Sequence, residues 1–125
     1  MSKDLETTAI TYLRHLENRE WADAQALCTE HATVWHNDGK GDSTIQENIA
    51  GMKAQIDPIR SMRYDIIRQF SRPGEVLQQH VVNVTMKDGA HFRLDAAVYF
   101  RFEDGRITRI EEYAGVPSQD APAAP

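Results

Sequence analysis

Hydrophobic positions recur with a helical period in the first half of the chain and with a period of two in the second. Leu5, Ala9, Tyr12, Leu13 and Leu16 lie at helical spacing and predict a first helix. Glu20–Cys28 predicts a second, short one, with Trp21, Ala24 and Leu27 inward and Cys28 as a buried structural thiol. His31–Asn37 is too short and too rich in β-branched and aromatic residues for a helix. It reads as a strand running into the loop Asp38–Asp42. A third helix is expected from the capping box Thr44-Ile45-Gln46-Glu47, with Ile45, Ile49, Met52 and Ile56 as its stripe and Pro58 as its stop.

From Arg60 the chain alternates, as strands with one buried face do. Met62, Tyr64, Ile66 and Phe70 share one face of the first such strand, with Arg63, Asp65, Ile67 and Gln69 opposite. Val76, Gln78, His80, Val82, Val84 and Met86 share a face of the second, and Lys87-Asp88-Gly89-Ala90 turns the chain into the third. A last hairpin turns at Glu103-Asp104-Gly105. A three-residue loop there pairs Phe102 with Arg106, Phe100 with Thr108, Val98 with Ile110 and Ala96 with Glu112. One face then carries Leu94, Ala96, Val98, Phe100, Phe102, Ile110 and Ala114, with Glu112 among them.

That placement makes Glu112 a candidate site residue. An unpaired carboxylate on an apolar face costs several kcal/mol, of order 2–5. Either a partner compensates it or it stays partly protonated near neutral pH, and a carboxyl of that kind both gives and takes protons. His80 and Gln78 repeat the anomaly on their strand. In the strand before the third helix, alternation groups Val34 with His36 and Thr33 with Trp35 and Asn37, so either His36 or the Trp35/Asn37 pair faces the interior. Imidazoles titrating near 6.5 beside a glutamate near 4.3 need only small shifts to divide donor and acceptor roles.

Helices followed by an antiparallel meander give an α+β fold, a curved antiparallel sheet wrapped around N-terminal helices with a pocket between them. With 125 residues, 41% hydrophobic and 26% charged, the expectation is one domain over 1–116 and a flexible tail over 117–125. A net charge of −5 argues against nucleic acid. The start MSKDLETT shows no apolar leader and no run is long enough to span a membrane, so a cytoplasmic protein is expected. One cysteine excludes an internal disulfide, and the five histidines show no HxH or HExxH spacing, so no metal and no cofactor is expected.

The stretches AITYLRHL, ALCTEHATVWHNDG and FRFEDGRITRIEEYAG resemble the nuclear transport factor 2-like superfamily, in particular its SnoaL-like and ketosteroid isomerase-like group, from Ala9 to about Gly115. The resemblance implies a cone-shaped α+β barrel, a hydrophobic pocket and a homodimer formed through an outer face that carries Leu77, Val81, Ile67 and Tyr99. Carried over residue by residue, the tyrosine that donates to an oxyanion in ketosteroid isomerases falls on Tyr12. Their base aspartate falls on His36, and their second oxyanion donor falls on Val98. Limonene epoxide hydrolases match at Glu112-Tyr113, but their arginine falls on His80 and their second aspartate on Val82, which breaks that triad. Scytalone dehydratase-like members combine two histidines and a tyrosine, as His36, His80 and Tyr12 would.

The resulting expectation is a small cofactor-independent enzyme that transfers protons on a hydrophobic small molecule, by isomerisation, cyclisation or dehydration. Glu112, His80 and His36 would be catalytic. Tyr12, Trp35, Asn37, Ile66, Gln78, Val82, Val98, Phe100 and Ile110 would bind substrate. The alternative is a non-catalytic binding or dimerisation module of the same fold.

Overall fold

The computed structural model describes residues 2–119, with side chains from Asp4 onward. Its elements run α1 (Ser2–Glu17), α2 (Trp21–Ala26), β1 (Cys28–His36), β2 (Asp42–Thr44), α3 (Ile45–Ala54), β3 (Ile59–Arg72), β4 (Glu75–Met86), β5 (His91–Glu103), β6 (Arg106–Ala114) and β7 (Ser118–Gln119). The fold is α+β, a curved and unclosed sheet in the order β2-β1-β6-β5-β4-β3 with the helices on its inner side. The expected cone is therefore open, with β2 and β3 as its edges. One pairing departs from the antiparallel expectation: β1 runs parallel to β6, with His36 opposite Glu112. Ser118 and Gln119, in the expected tail, pair with Arg93 and Phe92 of β5, and 120–125 lie outside the described residues.

Edge strand β3 is covered by the first helix. At Tyr64 the main-chain groups that point away from β4 are taken up by α1: Arg14 donates to the carbonyl at 2.7 Å, and the Glu17 carboxylate accepts from the N–H at 2.6 Å. An exposed edge is a template for unwanted pairing, and these two bonds blunt it while fixing α1 against the sheet. Ala9, Tyr12, Leu13 and Leu16 then face inward, with the Tyr12 ring edge-on to Phe100 at 6.5 Å. The capping box at α3 is formed: Thr44 Oγ1 accepts from Glu47 N–H at 3.0 Å, and the Glu47 carboxylate accepts from Thr44 N–H at 2.9 Å.

The hairpin after β5 turns in two residues, with Asp104 and Gly105 at φ 51° and 80°, so Glu103 pairs with Arg106 and Phe102 with Ile107. A β-bulge at Thr108 inserts one residue and restores the parity that a plain two-residue loop would lose. The expected face membership survives, but the pairs become Phe100 with Ile110 and Val98 with Glu112. A second bulge, at Ile67, reverses the end of β3: Gln69 turns inward opposite Gln78, and Phe70 lies outside, 67% exposed. Cys28 opens β1 instead of ending a helix. It is buried, and burial pushes its thiol up to about 12. On the outer face Ile67 and Leu77 are half exposed, whereas Val81 is buried.

Candidate active site between helices and sheet

A cavity of about 70 Å³ lies on the inner face of the sheet. Its lining comes from α1 (Tyr12, Leu13, Leu16), α3 (Asn48, Met52) and five strands. Of the residues expected at the site, it brings together Tyr12, His36, His80, Val98, Phe100, Ile110 and Glu112. The half-buried members are His36, Asn48, Met52 and Glu112, which places the approach from solvent between β1, β6 and α3.

Parallel pairing of β1 with β6 sets His36 and Glu112 side by side, and His36 Nε2 lies 3.1 Å from Glu112 Oε1. The carboxylate thus has its compensating partner. The hydrogen bond to Glu112 is the main cause that raises the His36 pKa, against an opposing effect of burial, and the charges of Glu112 and Asp38 add to the rise. His80 lies in the reverse environment. It is 2% exposed, and burial pulls its pKa down, with the Glu112 charge as a smaller opposing pull. Its Nδ1 contacts Gln78 Oε1 at 2.5 Å, its ring stands edge-on to Tyr64 at 5.1 Å, and its Nε2 is buried without a hydrogen-bond partner among the described residues.

Tyr12 and Tyr64 are both buried, and burial raises both phenol pKa values, with Glu112 among the charges that push the same way. Both therefore keep their protons and have a hydroxyl hydrogen to offer. Tyr64, Asn48, Met52, Leu13, Leu16 and Val34 line the cavity without having been singled out as site residues. Tyr64 was detectable, since it shares the inward parity of Met62 and Ile66. Asn48 lies one helical turn from both Ile45 and Met52, the spacing that puts it beside the apolar stripe.

The remaining expected residues stand elsewhere. Trp35 points to the outer face and packs on the exposed Tyr113 ring at 4.9 Å, because alternation along β1 gives the interior to Val34 and His36. Asn37 is exposed, and its side chain prolongs the β1–β6 ladder through two 3.1 Å bonds to the main chain of Ala114. Ile66 and Val82 belong to the inner layer but do not line the cavity. Gln78 is fully buried behind the lining and touches His80 instead. Among the described residues, one cluster has metal-compatible spacing, His15, Glu20 and Asp23, and none of the three lines the cavity.

The nearest chemistry this arrangement supports is proton transfer: one imidazole biased toward its charged form, one biased toward neutrality, and two phenol donors around a small apolar space. Comparison with known proteins places the fold. No curated protein matches the sequence. An LEH-like epoxide hydrolase from M. tuberculosis superposes with a TM-score of 0.78 at 15% identity, over 91% of this chain and 84% of that one. A protein provisionally named a polyketide cyclase from Xanthomonas campestris pv. campestris gives 0.78 at 18% identity, over 90% of each chain. AusH from Aspergillus nidulans gives 0.81 at 10% identity, over 92% of this chain and 86% of its own. At these identities the likeness shows the fold alone, one that hosts many reactions. Residues 9–110 match the model of the SnoaL-like domain, and the chain therefore belongs to the SnoaL-like family.

Proposed function

We propose that this protein is an acid–base enzyme that moves a proton on a small, largely apolar molecule carrying a carbonyl or hydroxyl group. The observation that supports this reading is the opposite bias of two imidazoles on one cavity wall, His36 toward the charged form and His80 toward the neutral one. Environments that push two titratable groups apart assign acid and base roles. In this reading neutral His80 takes a proton from the carbon beside a carbonyl, and Tyr12 and Tyr64 donate hydrogen bonds to the oxygen as charge builds on it. His36, held by Glu112, returns a proton to the product. Leu13, Leu16, Val34, Val98, Phe100 and Ile110 keep water away. Drug-sized ligands need roughly 300–1,000 Å³. A cavity near 70 Å³ favours a substrate of a few heavy atoms, or the reactive end of a longer one.

Deuterium uptake from heavy water into a panel of small ketones and enones, followed by proton NMR, tests the reading. Wild-type protein should accelerate exchange at the carbon next to the carbonyl, and Glu112→Gln should lose most of that acceleration. Binding of panel members with no exchange above buffer would instead assign a non-catalytic binding module. The expected homodimer, joined through the outer face that carries Leu77, Val81, Ile67 and Tyr99, is decided by mass in solution.

A further inference from the structure

Behind the cavity wall three side chains and one carbonyl form a directional chain. Gln69 Nε2 donates to the main-chain oxygen of Glu6 at 3.5 Å, Gln78 Nε2 donates to Gln69 Oε1 at 2.9 Å, and Gln78 Oε1 faces His80 Nδ1 at 2.5 Å. A carbonyl oxygen only accepts, so the end of Gln69 that faces Glu6 is its NH₂ group. Direction then propagates. The Gln69 oxygen accepts from the Gln78 NH₂, and the Gln78 oxygen accepts from an imidazole N–H. Reversing every amide would bring two acceptors together at Glu6 and leave a buried Nε2–H without a partner.

We propose that Gln69 and Gln78 are positioning residues that hold His80 as its Nδ1–H tautomer, which leaves Nε2 as the proton-accepting nitrogen of the cavity wall. An occupant that engages Nε2 must then bring the hydrogen itself, as a hydroxyl, an enol or an acidified C–H. A bare carbonyl or ether oxygen finds no donor there. The tautomer rests on the three bonds. Its catalytic use rests on the proton-transfer reading above.

Long-range proton–nitrogen NMR of the imidazoles in ¹⁵N-labelled protein reads the tautomer without any substrate. At a pH where His80 is neutral, its Nδ1 should resonate in the pyrrole-type range and its Nε2 in the pyridine-type range. Gln69→Leu, a change at a half-buried position, removes the acceptor that orients Gln78 and should collapse this separation into a tautomer mixture. Gln69→Glu gives up the weak 3.5 Å bond to Glu6 but keeps an acceptor that can turn to the Gln78 NH₂, and should restore it. A wild-type spectrum with Nε2 protonated, as an N–H directed at the Tyr64 ring would give, overturns the proposal. So does a Gln69→Leu spectrum identical to wild type. If the tautomer is as stated and no ketone exchanges deuterium, the relay stands and the proton-transfer reading fails. The reverse pair of results separates them the other way.

Discussion

Replacing Gln78 by Leu, alone and together with His80→Leu, measures what the buried relay costs the fold. Gln78 and His80 are 0% and 2% exposed, so neither polar end can recruit bulk water when its partner is removed. Gln78→Leu strands the imidazole N–H at Nδ1, a loss of about 1–3 kcal/mol. Gln69, half-buried, re-solvates its freed oxygen and adds little. His80→Leu alone strands the Gln78 oxygen at a similar cost. The double variant removes both polar partners and fills the space with apolar groups of comparable size, so it should return to within about 1 kcal/mol of wild type or exceed it. At about 4 °C per kcal/mol for a domain of this length, the single variants should lose roughly 4–12 °C in Tm. Urea unfolding with an unchanged m-value is the assay, since a common slope shows that the same surface unfolds in all four proteins. A Gln78→Leu protein as stable as wild type would refute the hydrogen bond. A double variant less stable than either single one would refute the claim that each single variant loses stability by stranding a buried polar partner.

Four further outcomes rest on the geometry. The folded His36 pKa is raised, so its pair with Glu112 stabilises fully below about pH 6.5 and that gain fades as pH rises through the raised value. For a pair this exposed the gain is roughly 0.2–1 kcal/mol, read as a stability gap between wild type and Glu112→Gln that narrows from pH 6 to pH 9. NMR titration of Glu112→Gln should also show the His36 pKa falling back toward its ordinary value; an unmoved pKa would mean that the 3.1 Å contact is not the cause. Phe100 is 0% exposed at the centre of the core, and Phe100→Ala should cost about 3–5 kcal/mol in chemical denaturation. Thr44→Ala removes one half of the α3 capping box and should cost about 1 kcal/mol, with loss of helicity confined to that helix in hydrogen exchange.

Much of the fold was legible because periodicity reports burial directly. The stripe Ala9, Tyr12, Leu13, Leu16, the capping box at Thr44 and the alternating face of β4 each follow from spacing, and all three are present in the structure. Individual pairings were less legible. The end of the second helix and the start of β1 differ because Cys28 suits either element as a buried small residue, and only its ladder position opposite Ile107 decides between them. Trp35 and Asn37 were candidates because alternation alone leaves open which face of their strand lies inward. The parallel pairing that gives His36 the inward position is a long-range event that no local pattern encodes.

What escaped the pattern most completely is also what assembles the site. A bulge adds one residue and moves every later side chain of its strand to the other face, yet it leaves the hydrophobic alternation on each side of it intact. The bulge at Ile67 turns Gln69 inward, where it meets Gln78, and sends Phe70 out. The bulge at Thr108 lets a tight two-residue turn coexist with an inward Glu112, where it meets His36. Both polar couplings of the candidate site, the amide relay behind His80 and the His36–Glu112 pair, therefore depend on a single inserted residue in a strand. Deleting Thr108 would keep the Asp104-Gly105 turn and reverse the parity of β6, exposing Ile110 and separating Glu112 from His36. Deleting Ile67 would turn Gln69 outward and break the chain that orients His80. Regular alternation builds the cup, and the two irregularities place its chemistry.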